Sequence, residues 1–261
     1  EGYNVEWSTE LTVEEAFDEY IKGYIAIHIL AKELEISDEP DFLFSMSVGY
    51  DLEGIKTDKI NNYIEGMKDA SNTEIWKKCI AWTKENLSQF KRFKEEDIKK
   101  INPRVCSTIC LSTLHGCPPA EIERIARYLI SEKKLNTYIK CNPTLLGYEF
   151  ARKILDKMGY GYIAFDDHHF KNDLQWSDAV LMINRLIEFA KENEKGFGVK
   201  LTNTFPVKIA ANELPGEEMY MSGRSLYPLT INLANKIAEE FKGRLPISFS
   251  GGADFFNIVD I

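Results

Sequence analysis

Titratable and small polar residues gather at six points of the chain, each just after a short apolar run. They are Ser47-Val48-Gly49, His115-Gly116-Cys117-Pro118-Pro119, Lys140-Cys141-Asn142-Pro143-Thr144, Asp166-Asp167-His168-His169, Lys200-Leu201-Thr202-Asn203-Thr204 and Ser250-Gly251-Gly252. If the apolar runs are parallel strands, these points form the carboxyl edge of a sheet, where α/β proteins place their reactive groups. Lys140 and Lys200 sit inside strand-like sequence, TYIKCNPT and FGVKLTNT. A strand lysine ordinarily points to solvent. Two in matching places could instead supply a fixed cation for a developing anion, such as an enolate or the N1–O2 edge of a reduced flavin. Asn142, Asn203 and Thr204 offer donors and acceptors to a planar heterocycle, and Asp166 and Asp167 join them as candidate substrate contacts.

Cys117 lies between Gly116 and Pro118, ahead of a predicted helix. That helix and the neighbouring His115 are expected to lower its pKa from about 8.5 and fit it for proton transfer. The alternative is a turn holding a small buried thiol. Cys117, His115 and Lys140 are the candidate catalytic groups. Ser222-Gly223 and Ser250-Gly251-Gly252 are small-residue tips whose N–H groups could approach a phosphate with no Cβ in the way. With Lys140 and Lys200 they form the candidate cofactor site, although a tight turn would use the same residues. Asp166-Asp167-His168-His169 has the residue types of a divalent-metal site. Adjacent residues leaving one strand seldom all face one ion, and His115 is the one obvious further ligand, so no metal centre is expected. Cys106 and Cys110 share a strand face and read as core, as does His28 on an apolar helix face.

The elements that must position these groups follow from periodicity. Residues 12–35 predict a helix, with Thr12 and Glu15 as a capping box and Phe17, Ile21, Tyr24, Ile25 and Ile29 on one face. Glu39-Pro40-Asp41 breaks it, and 42–48 predicts a buried strand. From 58 to 100 the chain is charged and amphipathic, a helical insertion or a docking surface. Beyond Pro103, strands are expected at 105–114, 137–142, 160–166, 197–204 and 245–250. Helices are expected at 119–133, 146–158, 174–194 and 226–241. The organisation is thus 1–41 N-terminal helical, 42–57 strand and loop, 58–102 helical insertion and 103–261 the main βα portion. Regular alternation predicts an α/β fold with a parallel sheet, either open or a (β/α)₈ TIM-type barrel. Six strands fall short of eight, so a barrel would be incomplete and its edges would need a partner.

A chain of 261 residues, 44% hydrophobic, can bury one substantial core. Its net charge of −9 and lack of a long basic run argue against nucleic acid or an anionic membrane as partner. No stretch of about 18 apolar residues and no signal-peptide pattern occur. Five cysteines without a framework fit a reducing cytoplasm. The first residue is Glu1, which raises excision from a longer polypeptide.

The segments LSTLHGCPPAEIERI, KCNPTLLGYEFARKIL, GYIAFDDHHF, FGVKLTNTFPV, ELPGEEMYMSGRSLYP and PISFSGGAD together resemble the "putative selenate reductase subunit" family. Its members are large bacterial proteins with a flavin barrel and glutamate-synthase-like, iron–sulfur-containing portions. The barrel in turn looks like the dihydroorotate and dihydropyrimidine dehydrogenases. The resemblance implies an FMN-type (β/α)₈ barrel, begun after the family's first two strands and ended before its last. It implies that Gly223, Gly251 and Gly252 hold the flavin phosphate and that Lys140 sits near the pyrimidine side of the ring. It also implies that Cys117 donates a proton and that Asn203-Thr204 touches substrate. Iron–sulfur clusters and NAD(P)H or FAD would belong to other redox domains or subunits. The expectation is a cytoplasmic FMN oxidoreductase module acting on a small, heterocyclic substrate. Two alternatives stand beside it: a metal-assisted hydrolase or lyase using Asp166, Asp167, His168, His169 and His115, and a non-catalytic electron-transfer or assembly module.

Overall fold

The computed structural model describes residues 11–37, 42, 44–112, 115–210 and 214–261. The chain forms two compact units that divide between Ile109 and Cys110. The expected break at 39–41 and the expected strand end at 113–114 lie outside the described residues.

In the first unit, helix α1 (Val13–Glu33) begins at a reciprocal cap: Glu15 N donates to Thr12 Oγ1 at 3.2 Å, and Thr12 N to Glu15 Oε2 at 2.8 Å. Its apolar stripe buries Ile21, Tyr24, Ile25 and Ile29. His28 packs against Tyr24 and Phe42, and burial lowers its pKa, as befits a core histidine. Strand β1 (Phe44–Val48) leads into α2 (Leu52–Lys56), α3 (Asp58–Lys68), α4 (Glu74–Glu85) and the short α5 (Glu95–Ile98). The stretch from 58 is helical as expected, and α3 buries Ile60, Ile64 and Met67 on one face. Glu33 closes the unit by accepting from the amides of Lys91, Arg92 and Phe93 at 2.7–3.1 Å.

Strand β2 (Cys106–Ser112) crosses the boundary into the second unit. There α6 (Pro119–Ser131), β3 (Asn136–Cys141), α7 (Tyr148–Lys157), α8 (His168–Asn172), α9 (Trp176–Glu192) and β4 (Phe197–Leu201) follow. An antiparallel hairpin of β5 (Phe205–Lys208) and β6 (Glu218–Met221), then α10 (Tyr227–Glu240) and β7 (Ile247–Phe249), complete it. The strand order is β2-β3-β4-β7, with β3 parallel to β4 and β4 parallel to β7. Helix α6 is the crossover that lets β2 and β3 lie side by side in the same direction. Thr137, Ile139 and Cys141 alternate with the less buried Tyr138 and Lys140, so the sheet has one sealed and one more open face. Among the described residues no helix is long and apolar enough to cross a membrane.

Three expectations fail. Residues 160–166 form turns and coil rather than a strand. Gly159 turns the chain at φ 82°, and the Arg152 guanidinium donates to Tyr160 O at 3.0 Å and Ile163 O at 2.6 Å, replacing a strand neighbour. The strand expected to run to Thr204 stops at Leu201, and the chain re-forms as the β5–β6 hairpin, with Phe205 opposite Met221. Helix 146–158 starts two residues late, at Tyr148, because Pro143–Leu146 makes a 3₁₀ turn.

Candidate functional site

Because β2, β3, β4 and β7 run alike, the loops after them emerge on one edge. Lys140 and Lys200 are the penultimate residues of β3 and β4 and are partners in register, and Lys200 faces Ser248 on β7. They lie on the open face, both half-buried. Adjacent strands are about 4.8 Å apart, so the two lysines stand side by side on that face. Burial pushes the Cys110 thiol up, and the fields of Lys200 and Lys140 oppose that rise, which puts all three in one neighbourhood.

Beside them lies a cluster that was only half legible in advance. His115, after β2, bonds through Nδ1 to Asp173 Oδ2 at 2.7 Å. The same carboxylate, 4% exposed, accepts from Gly116 N at 2.8 Å, Asn142 Nδ2 at 3.1 Å and Thr144 Oγ1 at 2.7 Å. Burial alone would push the Asp173 carboxyl up; hydrogen bonds from His115, Thr144 and Gly116 outweigh it and hold the group below its ordinary range. The ring of His169, on α8, lies 5.1 Å from that of His115, and Tyr220 of β6 stacks on His115 at 6.3 Å. His169 Nε2 is 3.1 Å from both oxygens of Glu218. Asp173 escaped the sequence reading because, three residues before α9, it looks like an ordinary helix-entry carboxylate. The one available signal was its place between an emerging loop and a long amphipathic helix.

The two small-residue tips do come together. A Cβ on Gly251 would lie 2.6 Å from Thr230 Oγ1, and one on Gly252 would lie 3.1 Å from Arg224 Cα, next to Gly223. Both glycines have positive φ, 126° and 93°. Their room is therefore used for close approach of the loop after β7 to the start of α10. Among the described residues their two amides donate to no protein acceptor. Ser250 is tied back by Ser250 Oγ to Leu201 O at 3.2 Å, Ser225 Oγ caps Ser222 O at 2.8 Å, and Arg224 pairs with Asp254.

The remaining candidates disperse. Asp166 pairs with Lys208 Nζ at 2.7 Å and Asp167 with Lys171 Nζ at 2.5 Å; His168 contacts Asn172. Of the five residues in the metal-hydrolase alternative, His115 and His169 meet. Asn203 Oδ1 accepts from Thr204 N at 3.0 Å, and Asn203 N donates to Cys141 O at 2.8 Å, tying the end of β4 to β3. Cys117 precedes α6 as expected, but its pKa moves the other way: burial raises it and Glu121, in the first turn of α6, adds to the rise. The acidic first turn offsets whatever the helix N-terminus would give a thiolate.

A parallel sheet alternating with helices, its polar groups collected on the carboxyl edge, defines an α/β domain of the class that includes the barrels. Residues 1–261 match the family model described as "Oxidoreductase YgfK, N-terminal TIM-barrel domain", and the chain belongs to that family. It is similar, at 46% identity over 274 residues, to "Putative oxidoreductase YgfK" of Escherichia coli strain K12 and to the protein so named in Escherichia coli O157:H7. The alignment covers 100% of this chain and 26% of each relative, so the chain spans about a quarter of their length. The family is one of oxidoreductases, which is coarser than the selenate reductase subunit the motifs pointed to.

Proposed function

We propose that this chain is the flavin-holding barrel module of a larger oxidoreductase. The observation that carries the reading is the in-register pair Lys140–Lys200 on the open face of a parallel sheet. A phosphorylated, anionic heterocycle of the FMN kind suits the donor set. The lysines match its anionic edge, and the unpaired amides of Gly251 and Gly252, with Gly223 and Ser222 beside them, match a phosphate. When bound, the flavin supplies hydride or electron transfer. Lys140 and Lys200 hold negative charge at the ring; Ser250 and the glycines position the phosphate. Cys117, a thiol that burial and Glu121 keep protonated, is the proton donor for a small substrate held by Asn142, Asn203 and Thr204. Asp166 and Asp167, held in ion pairs with Lys208 and Lys171, are assigned to the substrate's polar rim, which they reach by exchanging those partners. Iron–sulfur clusters and a pyridine or second flavin nucleotide belong to other domains or subunits of a cytoplasmic assembly.

The test uses the intact polypeptide purified without oxygen. Its absorption spectrum and the mass of the cofactor released on denaturation should identify FMN. Lys140→Ala and Lys200→Ala should each lower retained FMN about tenfold, the worth of one charge-assisted hydrogen bond. Intact protein that neither carries flavin nor binds added FMN would end the reading.

A further inference from the structure

We propose that His115, His169 and Glu218 form a binding site for one divalent first-row transition ion, with Asp173 orienting His115. The inference does not rest on the flavin reading. It begins with two orphaned atoms. Asp173, ionised and saturated by four donors, accepts only, so the proton of His115 is assigned to Nδ1 and its lone pair to Nε2. That Nε2 is buried and, among the described residues, has no hydrogen-bond partner. Asn142 must likewise turn its amide nitrogen to Asp173, which leaves Asn142 Oδ1 buried and, among the described residues, without a partner. Each buried acceptor calls for a donor or a cation, and the second imidazole and the carboxylate beside His115 favour the cation.

The spacing agrees. Imidazoles bound to one ion at about 2.0–2.1 Å, with angles between 90° and 109°, set their ring centroids about 5 Å apart. The rings of His115 and His169 are 5.1 Å apart. Ligand atoms on one such ion lie about 3.0–3.4 Å from each other. His169 Nε2 and the Glu218 oxygens are 3.1 Å apart. One ligand-type atom each from His115, His169 and Asp173 lies within 4.8 Å of the others. Asp173, fully engaged and bonded to Nδ1, has the geometry of the carboxylate that holds a metal-bound imidazole in place. Two imidazoles and one carboxylate suit Zn²⁺, Fe²⁺ or Co²⁺ over Mg²⁺ and leave positions open to water or a substrate oxygen. The ion takes the place of the hydrogen bond that now joins His169 to Glu218.

The intact polypeptide, stripped with chelator, is titrated with Zn²⁺ by calorimetry and with Co²⁺ by visible absorption. The parent should bind one equivalent more than folded His169→Ala, with Co²⁺ ligand-field bands, and a large excess of Mg²⁺ should not compete. His169→Ala leaves the His115–Asp173 pair intact and should weaken binding at least tenfold. Asp173→Asn should weaken it 10- to 100-fold. Glu192→Gln, exposed at the far end of α9, should change nothing. Circular dichroism on each variant separates loss of ligand from loss of fold. No stoichiometric Zn²⁺ binding, or binding unchanged in folded His169→Ala, overturns the site. Either result leaves the flavin measurement standing, because the readout is the metal itself.

Discussion

At the scale of single residues, Asp173 shows how much one buried carboxylate can organise. Its oxygens join the loop after β2 (His115, Gly116), the loop after β3 (Asn142, Thr144) and the entry to α9. Asp173→Asn keeps the volume but presents an NH₂ to groups that are themselves donors. Leaving buried donors unpaired next to a former charge costs on the order of 3 kcal/mol, to be read as a lower urea midpoint with unchanged slope. The cysteines give a second residue-scale test. Cys106 and Cys141 are buried and their pKa values are pushed up to about 12. Cys117 is raised less and is half-buried. Since the thiolate is the nucleophile, a raised pKa means slower alkylation at any pH below it. At pH 7.5 iodoacetamide should modify Cys117 more slowly than a free cysteine, with the rate still climbing above pH 9. Cys106 and Cys141 should stay unmodified until the protein unfolds. Fast labelling of Cys117 at neutral pH would restore the activated thiol that its place before a helix first implied.

At the scale of elements, α6 and α9 are joined by a charge staple. Glu123 takes Arg185 at 2.6 Å from α9 and Arg127 at 2.9 Å from its own helix. Arg185, first, and then Arg127 lower the carboxyl's pKa against the opposing effect of burial. A depressed folded pKa contributes stability that is present above the unfolded value, about 4.3, and is lost as pH falls through the folded value. Arg185 is half exposed, so solvent screening limits the contribution to about 0.5–1 kcal/mol. Glu123→Gln should therefore unfold more easily at pH 7 and converge on the parent as pH falls through the lowered carboxyl range; a constant offset down to acid would refute the linkage. Elements like these were the legible part of the sequence. The apolar stripe Ile122, Ile125, Ala126, Leu129 and Ile130 fixes α6 by its period, and the short apolar runs around Lys140 and Lys200 marked their strands. What stayed hidden depends on contacts between distant segments. The run 160–166 has strand composition, yet Arg152 claims its carbonyls. The β5–β6 hairpin pairs segments separated by a long loop, and Asp173 acquires its meaning from four partners that no local pattern connects to it.

At the scale of the whole molecule, the second unit ends in surface that its own residues do not cover. Strand β7 pairs with β4 on one side, and among the described residues no strand pairs with its other edge. Alongside it runs a cavity of about 590 Å³ lined by Ile231, Asn235, Ala238, Ile247, Phe249 and Ile261. Just beyond, Phe255, Phe256 and Val259 are 87–93% exposed. An open strand edge beside contiguous apolar side chains templates association, because pairing satisfies the edge amides and removes the apolar surface from water together. Residues 1–261 expressed alone should therefore self-associate as concentration rises, seen as a growing mass in size-exclusion chromatography with light scattering. Phe255→Asp with Phe256→Asp should shift the distribution toward monomer at unchanged melting temperature, since neither ring contributes to the core. Urea too dilute to unfold the chain should act in the same direction. A monomer at every concentration would mean that this edge is covered by the chain's own terminal residues, and the double variant would then lower the melting temperature and leave the mass alone.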